Sequence, residues 1–321
     1  MRLLSNIGQD KRVHLPADIQ TQIELYAQGI PQAVLEKAVA QLSDHYRAGM
    51  ATGKLRMDER ERIAAYLLTR FPATYAAVTS VLAHTGVAGV ETLLDLGAGA
   101  GAAALAARER FPAITRMTLI EKDAASMAAG RAWLPNAGWV AGNFAETAFA
   151  EHDAVVASYA LGELKPAPRM QALDRAWKAA RQFLILVEPG STAGFTVIRE
   201  CRDRLLEAGG HMIAPCPGEM PCPIAGKDWC HFAARLERSR LHRRLKHGQL
   251  SYEDEKYSYV ILSKAPADAC AGRIIRRPTH QPGLIELTVC SGGKIAAQRI
   301  NKRDRNKFAA ARRADWGDSW Q

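Results

Sequence analysis

The sequence contains a glycine-rich segment with the spacing of a cofactor-binding loop. Asp95 is followed by Gly97, Gly99 and Gly101, directly after the apolar run Thr92–Leu96 and before a helix-forming stretch. Glycines are expected there because the backbone must turn sharply and approach a ligand without a Cβ in the way. The segment therefore predicts a ligand-binding loop between a strand and a helix.

Two cofactors fit this loop. A dinucleotide requires the pattern G-x-G-x-x-G/A, which Gly97, Gly99 and Ala102 satisfy. Methyltransferases that use S-adenosylmethionine (SAM) typically have an acid two residues before the first glycine and a G-x-G-x-G core. An acid in the loop would repel a pyrophosphate, but SAM has no pyrophosphate. Asp95 therefore favours SAM.

Two further side chains are expected in the SAM site. Glu121 closes the next strand, where an acid can accept hydrogen bonds from both ribose hydroxyls, and Asn143 follows the third strand, beside the expected position of the adenine. The loop after the fourth strand, residues 158–164, is where such enzymes keep catalytic groups. It contains neither an Asn-Pro-Pro-Tyr motif nor a cysteine nucleophile. Glu163 is a candidate base, although an acid at a helix start is the more ordinary interpretation, so the catalytic residue stays unassigned.

Cysteines form a second group with possible chemistry, and all six lie at or after Cys201. Cys216, Cys222 and Cys230 form a compact triplet whose spacing matches neither zinc ribbons nor bacterial ferredoxins. Flanking prolines stiffen this loop and lower the entropic cost of closing a metal site. In a reducing compartment the pattern indicates metal or cluster ligation rather than disulfides. On spacing alone, zinc and an iron–sulfur cluster are equally expected, and buried cysteines without a metal are the remaining alternative.

The cysteine triplet requires a fourth ligand. Cys290 is favoured because it ends a strand beside a glycine turn, whereas Cys270 lies in a connector rich in alanine and aspartate. Cys201 lies within a helical stretch, where a buried apolar thiol is the ordinary interpretation. His211 and His231 are alternatives.

The elements that position these residues alternate between strand and helix. Residues 15–84 are expected to be helical, with one helix beginning at the capping box Asp58–Glu61 and ending at Phe71-Pro72. From about residue 90, short apolar runs alternate with helix formers, which predicts a doubly wound α/β domain. Leu284–Cys290 and Lys294–Ile300 flank a Ser-Gly-Gly turn and predict a hairpin.

The expected fold class is α/β: a Rossmann-like, SAM-dependent methyltransferase fold with a helical N-terminal domain and a cysteine-rich, basic C-terminal β extension. Four parts are predicted. They are a helical N-terminal domain (1–86), a SAM-binding methyltransferase domain (87–210), a cysteine-loop and basic-helix insertion with a return strand (211–264), and a basic C-terminal β extension (265–321).

Basic residues are concentrated in two segments of a chain whose net charge is +10. Residues 231–250 contain six Lys/Arg and one acid, and residues 264–321 contain twelve Lys/Arg and five acids. Such a surface is typical of proteins that bind a polyanion, and a solvated charged face is the alternative. The uncharged apolar run 96–107 is too short to cross a bilayer, and the first twenty residues lack the pattern of a secretory signal. We therefore expect no membrane partner and a cytosolic or organellar protein.

Several strings in the second half of the chain are distinctive when taken together with the glycine loop. They are Glu188–Gly190, Ala214–Pro217, Pro221–Pro223, Asp228–Phe232, Arg235–Lys246, Tyr252–Tyr259, Arg276–Pro278 and Trp316–Asp318. These strings and the glycine loop resemble one family, the small-ribosomal-subunit methyltransferase-like family, the bacterial relatives of mitochondrial methyltransferase-like protein seventeen.

The resemblance implies a SAM-methyltransferase fold that carries a 4Fe–4S cluster and acts on the small ribosomal subunit, close to its rRNA. It implies Cys216, Cys222, Cys230 and Cys290 as the ligands, with zinc as the alternative metal. A cytoplasmic location is expected in bacteria and a mitochondrial one in eukaryotic relatives, with the protein monomeric off the ribosome. The expected function is that of an rRNA methyltransferase. A catalytically inactive small-subunit assembly factor is the alternative, and a redox or iron sensor is a third hypothesis.

Nine basic residues are expected to contact rRNA phosphates. The acids Glu253–Glu255 lie within this basic zone and are expected to pair internally with arginines. Trp316 and Trp320 are expected either to stack on a base or to pack on their own domain. The nine basic residues are Arg235, Arg238, Arg243, Arg244, Lys246, Arg276, Arg277, Lys302 and Arg303.

Overall fold

A computed structural model describes residues 12–47, 57–84, 89–267 and 269–321. The chain divides into two compact units. The glycine-loop unit comprises Arg12–Arg181 and Ala234–Glu255, and the cysteine unit includes Gln182–Ala233 and Lys256–Gln321. The four-part division remains a prediction, and its boundary at residue 86 lies outside the described residues.

Strands and helices alternate along the described chain. The helices are α1 Ala17–Ala27, α2 Gln32–Arg47, α3 Glu59–Ala83, α4 Ala102–Arg110, α5 Ala124–Gly130, α6 Pro166–Ala179, α7 Thr192–Glu207, α8 Arg240–Leu245 and α9 Arg305–Ala311, with a 3-10 turn at Leu161–Glu163. The strands are β1 Arg12–Val13, β2 Thr92–Leu96, β3 Arg116–Glu121, β4 Gly138–Ala141, β5 His152–Ser158, β6 Ala180–Pro189, β7 His211–Ala214, β8 Phe232–Glu237, β9 Tyr252–Ser263, β10 Arg273–Ile274, β11 Thr279–Gln281, β12 Leu284–Ser291 and β13 Lys294–Asn301.

The glycine-loop unit contains four parallel strands in the order β5-β2-β3-β4. Leu96 of β2 pairs with Ile120 of β3 and with Ala157 of β5, so the carboxyl ends of these strands lie at one edge of the sheet. Strand β2 leads into α4 and β3 into α5, which is the strand–helix alternation of a Rossmann-like sheet. The α/β fold class predicted from the sequence is confirmed.

Helices α1 to α3 make up the helical layer of the same unit. Asp58 caps α3 by accepting a hydrogen bond from the Arg60 amide at 2.8 Å. The prediction that this helix ends at Phe71-Pro72 is wrong, since α3 continues to Ala83 with Pro72 inside it. A proline inside a helix costs about 3 kcal/mol. Burial of a long apolar face, including Phe71 edge-on against Trp133, offsets that cost.

The cysteine unit is built from antiparallel pairings. Strand β9 pairs with β6 and with β7, and a second sheet has the order β10-β12-β11 with β13 on β12. The predicted hairpin is confirmed, with Ser291 opposite Lys294 across its turn. Ile274, Leu287 and Trp320 lie in the core of this second sheet.

Within the described ranges, no helix has the length and apolar character required to cross a membrane.

Candidate functional site

The glycine loop lies at the carboxyl edge of the parallel strands and requires its glycines. Gly97, Gly99 and Gly101 have φ angles of +71°, +56° and +84°, a region that other residues adopt only with strain. The protein also fills the space beside them. A Cβ on Gly97 would lie 2.7 Å from the Ala160 Cβ, and one on Gly99 would lie 2.5 Å from the Tyr66 hydroxyl. Any side chain at these positions would have to displace a neighbour.

Asp95 is fully buried beneath the loop. Its Oδ2 accepts a hydrogen bond from the Ala104 amide at 3.2 Å, whereas its Oδ1 is buried with no hydrogen-bond partner among the described residues. The pKa of Asp95 is raised to about 7, because burial and the Glu121 carboxylate raise it by more than the hydrogen bond from the Ala104 amide lowers it. A buried carboxylate oxygen without a hydrogen bond destabilises the fold, so Oδ1 of Asp95 is available to accept a hydrogen bond from a ligand.

Glu121 is placed as the sequence predicts, at the end of β3, and it holds the loop. Its Oε2 accepts from the Gly99 amide at 2.7 Å and its Oε1 from the Asp123 amide at 2.8 Å. Asn143 lies just after β4 and caps its own turn, with Oδ1 accepting from the Ala145 amide at 3.0 Å. The two side chains predicted to bind a cofactor thus have partners within the protein.

Helix α3 contributes residues to this edge that the sequence analysis missed. The Tyr66 hydroxyl faces Gly99. Arg62 donates to both Oδ atoms of Asp123, at 2.9 and 3.0 Å. Arg62 and Tyr66 are four residues apart and so lie on one helix face. The four-residue spacing predicts that the two side chains share a helix face. It does not indicate which loop that face covers, so the sequence analysis could not place them at this site.

The loop after β5 is tied down by a second set of contacts. Tyr159, its first residue, has a φ of +55°, a strained conformation for an aromatic residue. Its hydroxyl donates to Glu255 at 3.1 Å, and Arg70 both pairs with Glu255 at 3.3 Å and lies over the Tyr159 ring. In the 3-10 turn that follows, Glu163 accepts from Lys122 at 3.3 Å. Burial raises the pKa of Glu163 and the Lys122 charge opposes it.

In the cysteine unit, four of the six cysteines line one cavity of about 60 Å³. Cys216 and Cys222 come from the proline-rich loop after β7, Cys230 precedes β8, and Cys290 lies on β12. Residues up to 74 positions apart thus converge on one space. Phe195, Ile224 and Ile275 form an apolar cluster against which Cys222, Cys230 and Cys290 pack.

Three of the cavity thiols, those of Cys216, Cys230 and Cys290, have pKa values above the ordinary value of a cysteine. Burial raises the pKa of Cys216, opposed by the positive charges of Arg202 and Arg273. Burial and the neighbouring thiols also raise the pKa of Cys230, and they raise that of Cys290 to about 11. Because a thiolate is the form that ligates metal, these cysteines are deprotonated only when a metal compensates the charge.

The alternative ligands are absent from the cavity lining. Cys270, Cys201, His211 and His231 do not line the cavity, and Cys201 is completely buried in α7, which confirms the interpretation of that residue. His231 stacks on Trp229 with ring centroids 5.0 Å apart. Within the described part of the chain, no three His, Cys, Asp or Glu side chains are grouped so as to hold a single metal ion.

The nine predicted RNA contacts fall into two classes. Several carry acidic partners: Arg235 pairs with Asp254 through two bonds of 2.8 and 2.9 Å, Arg238 and Lys246 pair with Glu253, and Arg276 pairs with Asp228 at 2.5 Å. Arg243 is half-buried. The exposed members are Arg244 in the glycine-loop unit and Arg277, Lys302 and Arg303 in the cysteine unit. Further exposed bases of the two basic segments are Arg240, Lys294, Arg305, Lys307, Arg312 and Arg313.

The acids of strand β9 pair internally, as the sequence predicts. Glu253 accepts from three cationic or potentially cationic side chains, Arg238, His242 and Lys246. Glu255 pairs with Arg70. The C-terminal tryptophans pack on their own unit: Trp320 is buried and donates to Gln298 at 2.9 Å, and Trp316 lies edge-on to His231.

Comparison of the sequence with models of protein families assigns it to a known family. The model of the mitochondrial small ribosomal subunit protein Rsm22 family matches residues 60–321, which is most of the chain and includes the glycine loop and all four cavity cysteines. The chain belongs to the Rsm22 family. The family resemblance inferred from short sequence strings in the second half of the chain is confirmed.

Two relatives show how much of this chain and of longer proteins the sequence similarity covers. The human mitochondrial ribosome assembly protein METTL17 is 25% identical over 286 residues, which cover 79% of this chain and 61% of METTL17. The mitochondrial Rsm22-cox11 tandem protein 2 of Schizosaccharomyces pombe is 24% identical, over 80% of this chain and 43% of its own length. This chain therefore spans about half the length of these relatives.

Solved structures similar to this Rsm22 family member include methyltransferases. The magnesium protoporphyrin IX methyltransferase of Synechocystis PCC 6803 with bound SAM has a TM-score of 0.40 and 11% identity, and the match covers 78% of this chain and 99% of that one. Precorrin-6y C5,15-methyltransferase from Geobacter metallireducens has a TM-score of 0.39 and 14% identity, with 66% and 91% covered.

Proposed function

We propose that this chain acts on the small ribosomal subunit as an rRNA-binding protein that holds SAM at its glycine loop and a 4Fe–4S cluster at its four cavity cysteines. The observation that carries the proposal is the convergence of Cys216, Cys222, Cys230 and Cys290 on one cavity, in a chain of the Rsm22 family. The same proposal places the protein, as a monomer off the ribosome, in the cytoplasm of a bacterial cell.

The donor set of the cavity fits an iron–sulfur cluster. It offers four sulfurs with apolar walls and three arginines, and cysteine thiolates are the usual ligands of such clusters. Zinc is the alternative, since it also binds four thiolates. A bound cluster supplies a covalent link between the segments and a redox-capable centre. The chain contributes the rigid loop and the hairpin strand that this link would join.

The residues of the glycine loop also fit SAM. The free Oδ1 of Asp95 and the Glu121 carboxylate face the same loop as the three glycines, and Asn143 follows the neighbouring strand. SAM, when bound, supplies an electrophilic methyl group. Glu121 would exchange its bond to the Gly99 amide for the cofactor, and Tyr66 would cover the loop and exclude water.

Of the two forms of this function, a specific observation favours the assembly factor without methyl transfer. The loop after β5, where an acceptor base would enter, is held by Arg70 and Glu255 through Tyr159. Its candidate base, Glu163, accepts a hydrogen bond from Lys122 at 3.3 Å, and the positive charge of Lys122 opposes the rise in the pKa of Glu163 that burial causes. The rRNA methyltransferase is the second candidate, supported by the intact glycine loop.

The identity of the metal decides the central part of the proposal. The full chain, purified without oxygen, is expected to be brown and to contain about four irons and four sulfides per chain. Stoichiometric zinc without sulfide would replace the cluster by a zinc site. A metal-free chain that binds neither would overturn the proposal.

Methyl transfer distinguishes the two candidate functions. Small subunits from cells lacking the protein are incubated with the chain and radiolabelled SAM. Tight binding of the subunit without label in rRNA supports the assembly factor, whereas stoichiometric label that is lost in Gly99→Ala makes the chain a methyltransferase. Failure to bind the subunit at all would overturn both.

A further inference from the structure

Two buried guanidinium groups line the thiol cavity. Arg202 lies on α7 with 4% of its side chain exposed, and Arg273 lies on β10 with 5% of the residue exposed. Arginine stays charged in proteins, and a buried charge is costly unless an opposite charge or several hydrogen bonds compensate it. Two such groups against one apolar cavity therefore require a partner.

The partners of Arg202 satisfy it only in part. One Nη donates to the Met220 carbonyl at 2.6 Å and the other to Asp203 at 2.6 Å, but the Asp203 side chain is 52% exposed to solvent. The guanidinium also hydrogen-bonds to Cys216. Its Nε is buried without an acceptor among the described residues. One donor of Arg202 thus lacks an acceptor, in a side chain that already touches a ligand sulfur.

Arg273 approaches the same cavity from the sheet. It donates to the Pro215 carbonyl at 2.8 Å and to the Gly317 carbonyl at 2.8 Å. It lies directly opposite Cys290 in the register of β10 and β12. These acceptors are neutral, so they orient the guanidinium without neutralising it.

Both arginines also hold the loop that carries the first two cysteines. Pro215 precedes Cys216, and Met220 lies two residues before Cys222. The hydrogen bonds to the carbonyls of Pro215 and Met220 therefore fix the backbone of this loop at two points, one just before each cysteine. Each arginine can serve the site in two ways, as a backbone clamp and as a charge.

We propose that Arg202 and Arg273 are the built-in countercharges of the metal centre and set its reduction potential. The inference rests on the cluster of the proposed function. Four thiolates around an oxidised 4Fe–4S core carry a net charge of roughly −2, which two guanidiniums balance. Because reduction adds a negative charge, nearby cations and N–H donors to sulfur stabilise the reduced form and raise the potential.

The test compares neutral variants of arginines from the same helix. Arg202→Gln removes the charge but keeps an amide donor for the Met220 carbonyl. Arg199→Gln is the matched control: Arg199 also lies on α7 and lines the cavity, but it bonds to the Ile224 carbonyl and lies over the Phe195 ring. Full chains are purified without oxygen, their iron and sulfide are counted, and their potentials are measured by titration monitored with electron paramagnetic resonance.

Arg202→Gln is expected to have a lower potential than the wild type and to lose its cluster absorbance several-fold faster in air. Arg199→Gln is expected to match the wild type in both. Arg202→Lys, which restores the charge, is expected to recover most of the potential, which a purely structural role of the side chain would not do. Arg273→Gln is expected to shift the potential in the same direction, and it decides the question if Arg202→Gln does not fold.

The outcomes separate the two proposals. A wild-type chain without iron and sulfide would overturn the cluster itself. A wild-type chain with a full cluster whose potential is unchanged in folded Arg202→Gln and Arg273→Gln would overturn only the countercharge assignment. Equal shifts in Arg199→Gln and Arg202→Gln would also overturn it, since they would indicate a general effect of altering the cavity wall.

Discussion

Gly99 is constrained by both its backbone and its neighbour. Its φ is +56°, its amide donates to Glu121, and a Cβ would meet the Tyr66 hydroxyl. Gly29 has a similar backbone, with φ +83°, but no atom lies within 4 Å of where its Cβ would be. Substitutions at Gly29 and Gly99 therefore distinguish the effect of backbone strain, which both share, from the effect of a steric clash, which only Gly99 would cause.

We expect Gly99→Ala to weaken SAM binding at least about tenfold, which corresponds to about 1.4 kcal/mol. The alanine must displace Tyr66 or shift the loop that Glu121 holds. Calorimetric titration with SAM provides the affinity, and thermal unfolding provides the stability. Gly29→Ala should lose about 1–2 kcal/mol of stability from the same backbone strain and bind SAM normally. Unchanged SAM affinity in Gly99→Ala would place the SAM site elsewhere.

The two C-terminal cysteines outside the triplet differ in one decisive respect. Cys290 lines the thiol cavity and Cys270 does not. Because serine is a poor ligand for iron, we expect Cys290→Ser to lose its bound iron and sulfide during anaerobic purification, whereas Cys270→Ser keeps them. Iron and sulfide analysis of the two variants side by side is the measurement. The opposite pattern would assign the fourth ligand to Cys270.

At the level of elements, Glu253 joins α8 to β9. Arg238, His242 and Lys246 all donate to its carboxylate. Burial alone would raise the pKa of Glu253, but the hydrogen bonds from His242 and Lys246 and the nearby positive charges lower it below the ordinary value. Burial also lowers the pKa of His242, which the Glu253 carboxylate opposes.

We expect Glu253→Gln to lower the free energy of unfolding by about 1–3 kcal/mol at pH 7, because it leaves buried donors without a charged acceptor. A carboxyl whose pKa is lower in the folded state stabilises above its unfolded pKa, near 4.5, and this stabilisation is lost as the pH falls below that value. The difference between wild type and variant should therefore shrink on acidification through this window, as measured by urea unfolding.

Glu237→Gln is the control for that experiment. Glu237 pairs with His14, and both side chains are about half exposed, so its loss should change stability by less than about 1 kcal/mol. An equal loss in Glu237→Gln and Glu253→Gln would contradict the assignment of Glu253 as the residue that joins these elements.

Some elements could be predicted from the sequence and others could not. The parallel strands and the C-terminal hairpin follow from local apolar runs and turn residues, which act over short distances. The continuation of α3 past Pro72 does not, because the burial that offsets the proline depends on α4 and on Trp133. Proline marks a local cost, and tertiary packing decides whether the helix tolerates it.

The candidate site shows the same division. Cys290 could be placed near the triplet because a residue at a hairpin end projects from the sheet. The partners of Arg238 and Lys246 could be named only as acids of the β9 segment, because the packing of α8 on β9 is not encoded in either segment alone. The pairing of Tyr159 with Glu255 spans 96 residues and left no sequence signal.

Across the whole molecule, the basic residues include partly buried ones that pair with acids and exposed ones on the surface. Arg235 and Arg238 pair with Asp254 and Glu253, whereas Lys302 and Arg303 are exposed between β13 and α9. Only exposed cations can neutralise phosphates without losing an internal partner. Phosphate contacts make binding depend on salt, with a slope that grows with their number.

We expect Lys302→Gln with Arg303→Gln to weaken binding to small subunits and to reduce the slope of log K against log salt by about 1–2, with no change in thermal stability. Arg238→Gln, which breaks the bond to Glu253, is expected to lower stability instead. Binding measured across a salt series, together with thermal melts, distinguishes the two. An unchanged salt slope in the double variant would show that Lys302 and Arg303 do not contact rRNA phosphates.

The division of the chain into units also sets an order for synthesis. The glycine-loop unit needs residues 234–255 in addition to 12–181, so it cannot be completed until translation has passed the whole cysteine loop. Three of the cavity cysteines emerge from the ribosome well before Cys290 on β12. A nascent chain thus exposes three thiols before the fourth exists. If the proposed metal centre forms, its full set of four thiols is therefore available only after β12 has been synthesised.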